Sequence, residues 1–206
     1  MTISKAVREI VSNDYVLSFG LQNRILNLTQ VARFLQKSVE QQCNDSVSID
    51  AIVMALSRLQ QDYVEFAVPS RLKIDEFSVK KDLALVSLLK TKRNLQMILK
   101  LKLYALQNDL FYSVAESMNE ISLVIDKSLV CMFESYDFDM VNFIQKNVSA
   151  YIIKIPKDYL EIPGVFQYFV QRFTLNQINI LEVSSTYTEL IFYIDSNDLS
   201  LVIDLF

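Results

Sequence analysis

Glu120-Ile121-Ser122-Leu123-Val124-Ile125-Asp126 and Glu189-Leu190-Ile191-Phe192-Tyr193-Ile194-Asp195 follow one pattern, an apolar run opened by Glu and closed by Asp, and they lie 69 positions apart. Each is too short for a stable helix and is rich in β-branched and aromatic residues, so each reads as a strand. A second strand precedes each of them, residues 110–116 through the turn Ser117-Met118-Asn119 and residues 179–184 in the later copy. Working outward, residues 83–89 form a short apolar run suited to a buried strand, and residues 94–106 carry helical spacing. Residues 127–134 read as a further helix. The same order of strand, helix, strand, strand and helix returns at 151–156, 164–175, 179–184, 188–195 and 198–205.

An internal repeat decides architecture more firmly than any single segment. At the common offset Leu106 meets Leu175, Val114 meets Val183 and Ile125 meets Ile194, while Met97, Leu101 and Tyr104 fall on Phe166, Val170 and Phe173. The expectation is one ungapped repeat.

Ahead of it, residues 1–64 read as three helices. Ser4 is the expected cap of the first, with Ala6, Val7, Ile10 and Val11 on its apolar face, and Gly20 stands near the end of that region. Asn27 or Thr29 caps the second, which buries Val31, Ala32, Leu35 and Val39. Asn44-Asp45-Ser46 makes a turn. Ser48 then caps a third helix over 49–61 with Ile52, Val53, Leu56 and Leu59 as its stripe. Three helices with tight turns resemble a helix-turn-helix or winged-helix unit. Val68-Pro69-Ser70 breaks the pattern, so boundaries are expected at 1–69, 70–146 and 147–206.

Composition narrows the function classes. Of 206 residues 51% are hydrophobic and 21% charged, the profile of a packed chain rather than a disordered one. No apolar run approaches the roughly 18 to 20 residues of a spanning helix, and the first nine residues carry no signal-peptide core, so the reading is cytoplasmic and without a membrane. Cys43 and Cys131, far apart and outside any CxxC motif, fit a reducing compartment. There is no His, which removes the commonest general base, the commonest zinc ligand and every His-activated nucleophile. Only Gly20 and Gly164 are glycine, so no phosphate-cradling loop exists. Asp137-Phe138-Asp139 reads as a solvated turn rather than a metal site. No cofactor and no enzyme activity are expected.

The residues Ile162-Pro163-Gly164-Val165, opening a helix after a strand, and the string Ser184-Ser185-Thr186-Tyr187-Thr188-Glu189-Leu190 resemble an ACT domain. The latter string looks like the tandem regulatory region of aspartokinases. The resemblance covers residues 149–206 well and 82–135 weakly, the first copy having Asn94-Leu95 where the second has Pro163-Gly164. It implies ferredoxin-like units that pair side by side and bind amino acids at the pairing seam. Ile162, Gly164 and Val165 would offer helix N–H groups to a carboxylate. Asn179, Ser184, Ser185, Thr186 and Thr188 would offer polar contacts, and Glu182 or Glu189 would meet an ammonium group. Turn and helix-start chemistry explains the same residues without a ligand.

A ferredoxin-like unit needs a fourth strand, yet each copy ends on a helix. Residues 71–79, where Leu72 and Ile74 alternate with polar side chains, are the expected source, so that the two units are either interleaved along the chain or completed by a second subunit.

Charge is uneven: nine basic and four acidic side chains over 71–109, then five and thirteen over 110–206. That argues against one continuous nucleic-acid surface. The third helix would offer a groove Ser48, Ser57 and Arg58, a weak electrostatic footprint. The expected whole is an α+β chain, a three-helix winged-helix-like module followed by two ACT-type units. It is expected to be a homodimer that senses an amino acid, with DNA binding as the alternative output.

Overall fold

The computed structural model describes residues 1–62, 74, 76–136, 138–159 and 161–206. The break at Val68-Pro69-Ser70 lies outside them. The chain divides into two compact units, Met1–Ala67 and Val68–Phe206.

The described residues of the first unit form four helices, not three: α1 (Ile3–Ser12), α2 (Tyr15–Gln22), α3 (Leu28–Cys43) and α4 (Ile49–Asp62). The additional one, α2, is opened by Asp14, whose carboxylate accepts from the Leu17 N–H at 2.9 Å. Gly20 lies in the last turn of α2, where a Cβ would sit 2.5 Å from the Leu26 side chain, so its absence makes room for Leu26. Ser4 is within α1; Thr2 precedes the helix and its backbone carbonyl accepts from Lys5 and Ala6. Asn27 caps α3, Asn44 closes it at φ 53°, and the Ser48 hydroxyl accepts from the Ala51 N–H at the start of α4. Val31, Ala32, Leu35 and Val39 meet Ile52, Ala55, Leu56 and Leu59 in one core. No strand occurs among the described residues of this unit, so the winged-helix expectation lacks its wing.

The second unit runs β1 (Glu76–Leu89), α5 (Lys92–Gln107), β2 (Tyr112–Glu116), β3 (Glu120–Asp126) and α6 (Val130–Ser135). It repeats as β4 (Val141–Lys154), α7 (Val165–Leu175), β5 (Ile180–Ser185), β6 (Glu189–Asp195) and α8 (Leu199–Leu205). All six strands join one antiparallel sheet in the order β2-β3-β1-β4-β6-β5.

β1 and β4 are longer than their apolar runs because each serves both halves. Residues 83–89 of β1 pair with β3, while its first residues, 76–80, pair with the end of β4 that also carries β6. Each half thus takes its fourth strand from the other half's first strand. Of the segment 71–79 expected to supply it, residues 76–79 are strand, and 71–73 and 75 lie outside the described residues. The position 146/147 falls in the middle of β4.

The repeat is real but gapped. β1 and β4 match at an offset of 65, with identical burial at every position but the last. The helix ends match at 68: Leu110 N–H bonds Ala105 O, and Ile178 N–H bonds Phe173 O. The hairpins match at 69. The longer second-copy loop before α7 and a bulge at Leu181 account for the differences. Leu101 and Ala105 therefore correspond to Phe169 and Phe173, one residue away from the ungapped alignment.

The helices cover one face of the sheet. α5 and α6 pack on Ala84, Val86, Leu88 and Leu123, and α7 and α8 on Tyr151, Ile153, Phe192 and Ile194. The other face carries its own core of Leu83, Leu85, Val124, Val148, Ala150 and Tyr193. In a flat sheet β3 and β5 would stand about 19 Å apart, four spacings of about 4.8 Å. Yet Ser122 on β3 donates to Glu182 on β5 at 2.6 Å. The sheet is rolled, with the helix-free face inside.

Candidate functional site

Where the two ends of the rolled sheet meet, a cleft of about 420 Å³ opens on the inner face. Its floor is laid by the sheet register. Ser87 of β1 sits opposite Ser122 of β3 and also opposite Phe143 of β4, so two hydroxyls and a ring point into one opening. Leu85, Ile121 and Leu181 supply apolar walls.

Glu120 and Glu182 line the cleft, and Glu116 borders it from the helix-covered face, opposite Ile121. Glu182 is held by both oxygens, Oε2 accepting from Ser122 and Oε1 from the Val183 N–H at 3.2 Å. Glu116 pairs with Lys90 at 3.0 Å, and Lys90 also donates to the Ser117 carbonyl at 3.1 Å. Glu120 accepts a long bond from Asn142 at 3.5 Å. With Lys90 already paired to Glu116, Glu120 and Glu182 leave the cleft negative, an environment that favours a bound cation. On the opposite, helix-covered face, Tyr112 is pushed up to about 12 by burial and, less, by the charge of Glu116.

The expected ligand residues divide between places. Gly164 opens α7 in the left-handed region at φ 92°, which only a residue without Cβ adopts freely. Val165 is buried and Ile162 packs on the same core, so their side chains are structural. Thr186 and Thr188 form the β5–β6 turn; the Thr188 carbonyl accepts from the Ile155 N–H at 2.9 Å, placing this turn at the α7 end of the sheet. Ser185 is exposed at the end of β5, and Glu189 starts β6. Ser184 pairs with the Tyr193 hydroxyl at 3.2 Å. Asn179 stands at the far end of β5, about 23 Å along the strand from Thr186. Of the expected set, Glu182 alone lines the seam cleft.

The equivalent first-copy corner is filled by the chain itself. Asn94, fully buried, donates to the Leu89 and Asp139 carbonyls, both at 2.7 Å, and accepts from the Asp139 N–H at 2.8 Å. The Asp139 carboxylate accepts from Thr91 and lies 3.8 Å from Arg93. Asp137 lies outside the described residues. Among the described residues no group of three or more His, Cys, Asp or Glu side chains converges on a metal-sized site, and no helix is long and apolar enough to cross a membrane.

Ser87 and Ser122 were the readable signal for the cleft: Ser87 is the one hydroxyl in the apolar run 83–89 and Ser122 the one hydroxyl in β3. On α4, Ser48 is spent as a cap, Ser57 is half-buried, and Arg58 is exposed along with Asp50 and Met54.

No protein-family model matches the chain, and no curated protein matches its sequence. Solved structures match its fold. Aspartate kinase from Clostridium acetobutylicum matches over 64% of this chain at 12% identity with a TM-score of 0.52. That match takes in 34% of the kinase, so this chain spans about a third of that enzyme's length. A chain from the structure of aspartokinase alpha and beta subunits matches over 65% of this chain and 95% of its own length, at 12% identity and a TM-score of 0.50. The likeness is one of fold, and it agrees with the paired α+β units expected from the repeat.

Proposed function

We propose that the chain is a non-catalytic regulatory protein whose second unit binds a free amino acid, its ammonium group held in the seam cleft. One observation carries the reading: the Ser122–Glu182 bond crosses the seam between the two halves inside a cleft edged by carboxylates. A ligand seated there touches β2 and β3 of one half and β5 of the other. It therefore favours one degree of roll in the sheet over others, which is what an effector must do to shift an equilibrium. The ACT resemblance and the likeness in fold to aspartate kinases, one of them described as allosteric, support the same assignment. The two cysteines are free, in keeping with a reducing cytoplasm. Pairing of two copies would use the edge strands β2 and β5. Duplex binding through Ser48, Ser57 and Arg58 has one exposed cation to draw on and is the weaker output.

The test is a thermal-shift panel of the common amino acids on the full chain, repeated with Glu182→Gln. A binder at about one hundred times its dissociation constant adds about 2.7 kcal/mol. Glu182→Gln should weaken that binder about tenfold by removing the ion pair. A flat panel, or a binder indifferent to Glu182→Gln, overturns the seam reading.

A further inference from the structure

The pseudo-symmetry of the second unit provides an internal control, and the two copies differ most tellingly where β1 and β4 cross. Each strand turns there through one left-handed residue, Asp82 at φ 57° and Asn147 at φ 75°. Beside Asn147, in the first copy, Lys146 reaches over to Glu134 of α6 at 3.0 Å. The matching pair in the second copy is Lys81 and Ile203. The lysine is kept and its carboxylate is gone. What stands in place of that bridge is a cleft of about 300 Å³, at the small end of the ligand-pocket range.

The lining has changed in the same sense. Ala84 in the first copy corresponds to Ser149, a polar side chain with no exposed surface. Its Oγ lies 2.8 Å from that of Ser196, which corresponds to Lys127. In a pair of hydroxyls only one proton is used between them, so one O–H remains to donate. Ser200, replacing Cys131, adds another hydroxyl. Of the acidic groups here, Asp195 is engaged, accepting from the Asn147 amide at 3.1 Å and the Asn197 N–H at 2.9 Å. Neither Lys81 nor Asp82 has a side-chain partner among the described residues.

We propose that this crossing cleft is a second binding site, for a small zwitterionic amino acid. Lys81 and the accessible hydroxyls of Ser196 and Ser200 take the carboxylate, with Ser149 fixing Ser196 from below; Asp82 takes the ammonium group, and Leu199 with Ile203 receives a short side chain. Adjacent charges of opposite sign suit a zwitterion, whereas an anion alone would meet Asp82 and a cation alone would meet Lys81. The site stands on observations separate from those at the seam.

The experiment titrates the ¹⁵N-labelled full chain with L-serine and L-alanine, and in parallel with acetate and methylammonium. Either amino acid should shift the amides of Asp82, Asn147 and Ser196, with both half-molecules binding more weakly. Ile203→Glu installs the carboxylate that Glu134 supplies in the first copy and should lower affinity about tenfold; Lys81→Met, at an exposed position, should do the same without touching the core. Glu182→Gln should leave these shifts in place. Absence of shifts at the crossing, shifts confined to the seam, or shifts insensitive to both Lys81→Met and Ile203→Glu overturn the proposal. Acetate binding as tightly as serine also overturns it, since the ammonium group would then contribute nothing.

Discussion

Replacing Asn94 by Ala should be among the most damaging single changes in the second unit. The side chain has no exposed surface and makes three hydrogen bonds of 2.7, 2.7 and 2.8 Å, two of them donated to carbonyls and one accepted from an N–H. Truncation leaves those two carbonyls and the Asp139 N–H without their partner in a buried corner. Each orphaned group costs about 1–3 kcal/mol, and partial entry of water lowers the sum, so a loss of about 3–4 kcal/mol is expected. Asn94→Asp sharpens the argument. It replaces two donors with acceptors that face two carbonyls, which raises the new carboxyl's folded pKa above its unfolded value. The variant should therefore be weakest at neutral pH and recover as pH falls, when the protonated acid regains one donor. Urea unfolding gives the stability, and hydrogen exchange at the Asp139 amide reports the corner directly. A loss below about 1 kcal/mol with Asp139 protection unchanged would refute the assignment of that corner to Asn94.

Tyr151 has no exposed surface and a hydroxyl without a partner among the described residues, its ring stacked 5.5 Å from Phe77 and 5.7 Å from Phe206. Tyr151→Phe removes an unsatisfied polar group and should stabilise by up to about 1 kcal/mol in urea melts. Burial pushes the phenol up to about 12 from 10.0, so the unfolded chain loses this proton first and stability falls as pH rises from 10 through 12. The variant should reduce that fall by about 1.4 kcal/mol per pH unit; an unchanged slope counts against the burial. Gly164→Ala forces a Cβ onto φ 92° and should cost about 1 kcal/mol in thermal melts, whereas a gain, usual where a helix-compatible Gly becomes Ala, would contradict the left-handed start of α7.

The hairpins were legible because their strands alternate cleanly and their turns recur at one spacing. The long strands were only half legible. Residues 76–82 and 141–147 are largely polar because this stretch is mostly exposed, and the left-handed residues Asp82 and Asn147 reset the alternation, so a period of two breaks where the strand continues. α2 escaped because Gly20 reads as punctuation, when its missing Cβ makes room for Leu26. The seam was the least legible part. Ser122 and Glu182 are 60 positions apart and meet only because the sheet rolls, which no local pattern encodes.

Sharing β1 and β4 makes the tandem arrangement a fused pair. A chain with one copy would present a long first strand with half its ladder empty, and a second identical chain laid antiparallel would fill it. The link between α6 and β4 ties together what would otherwise be two molecules exchanging strands. Cutting either half away removes an edge from the half that stays, so the two must melt as a single cooperative body.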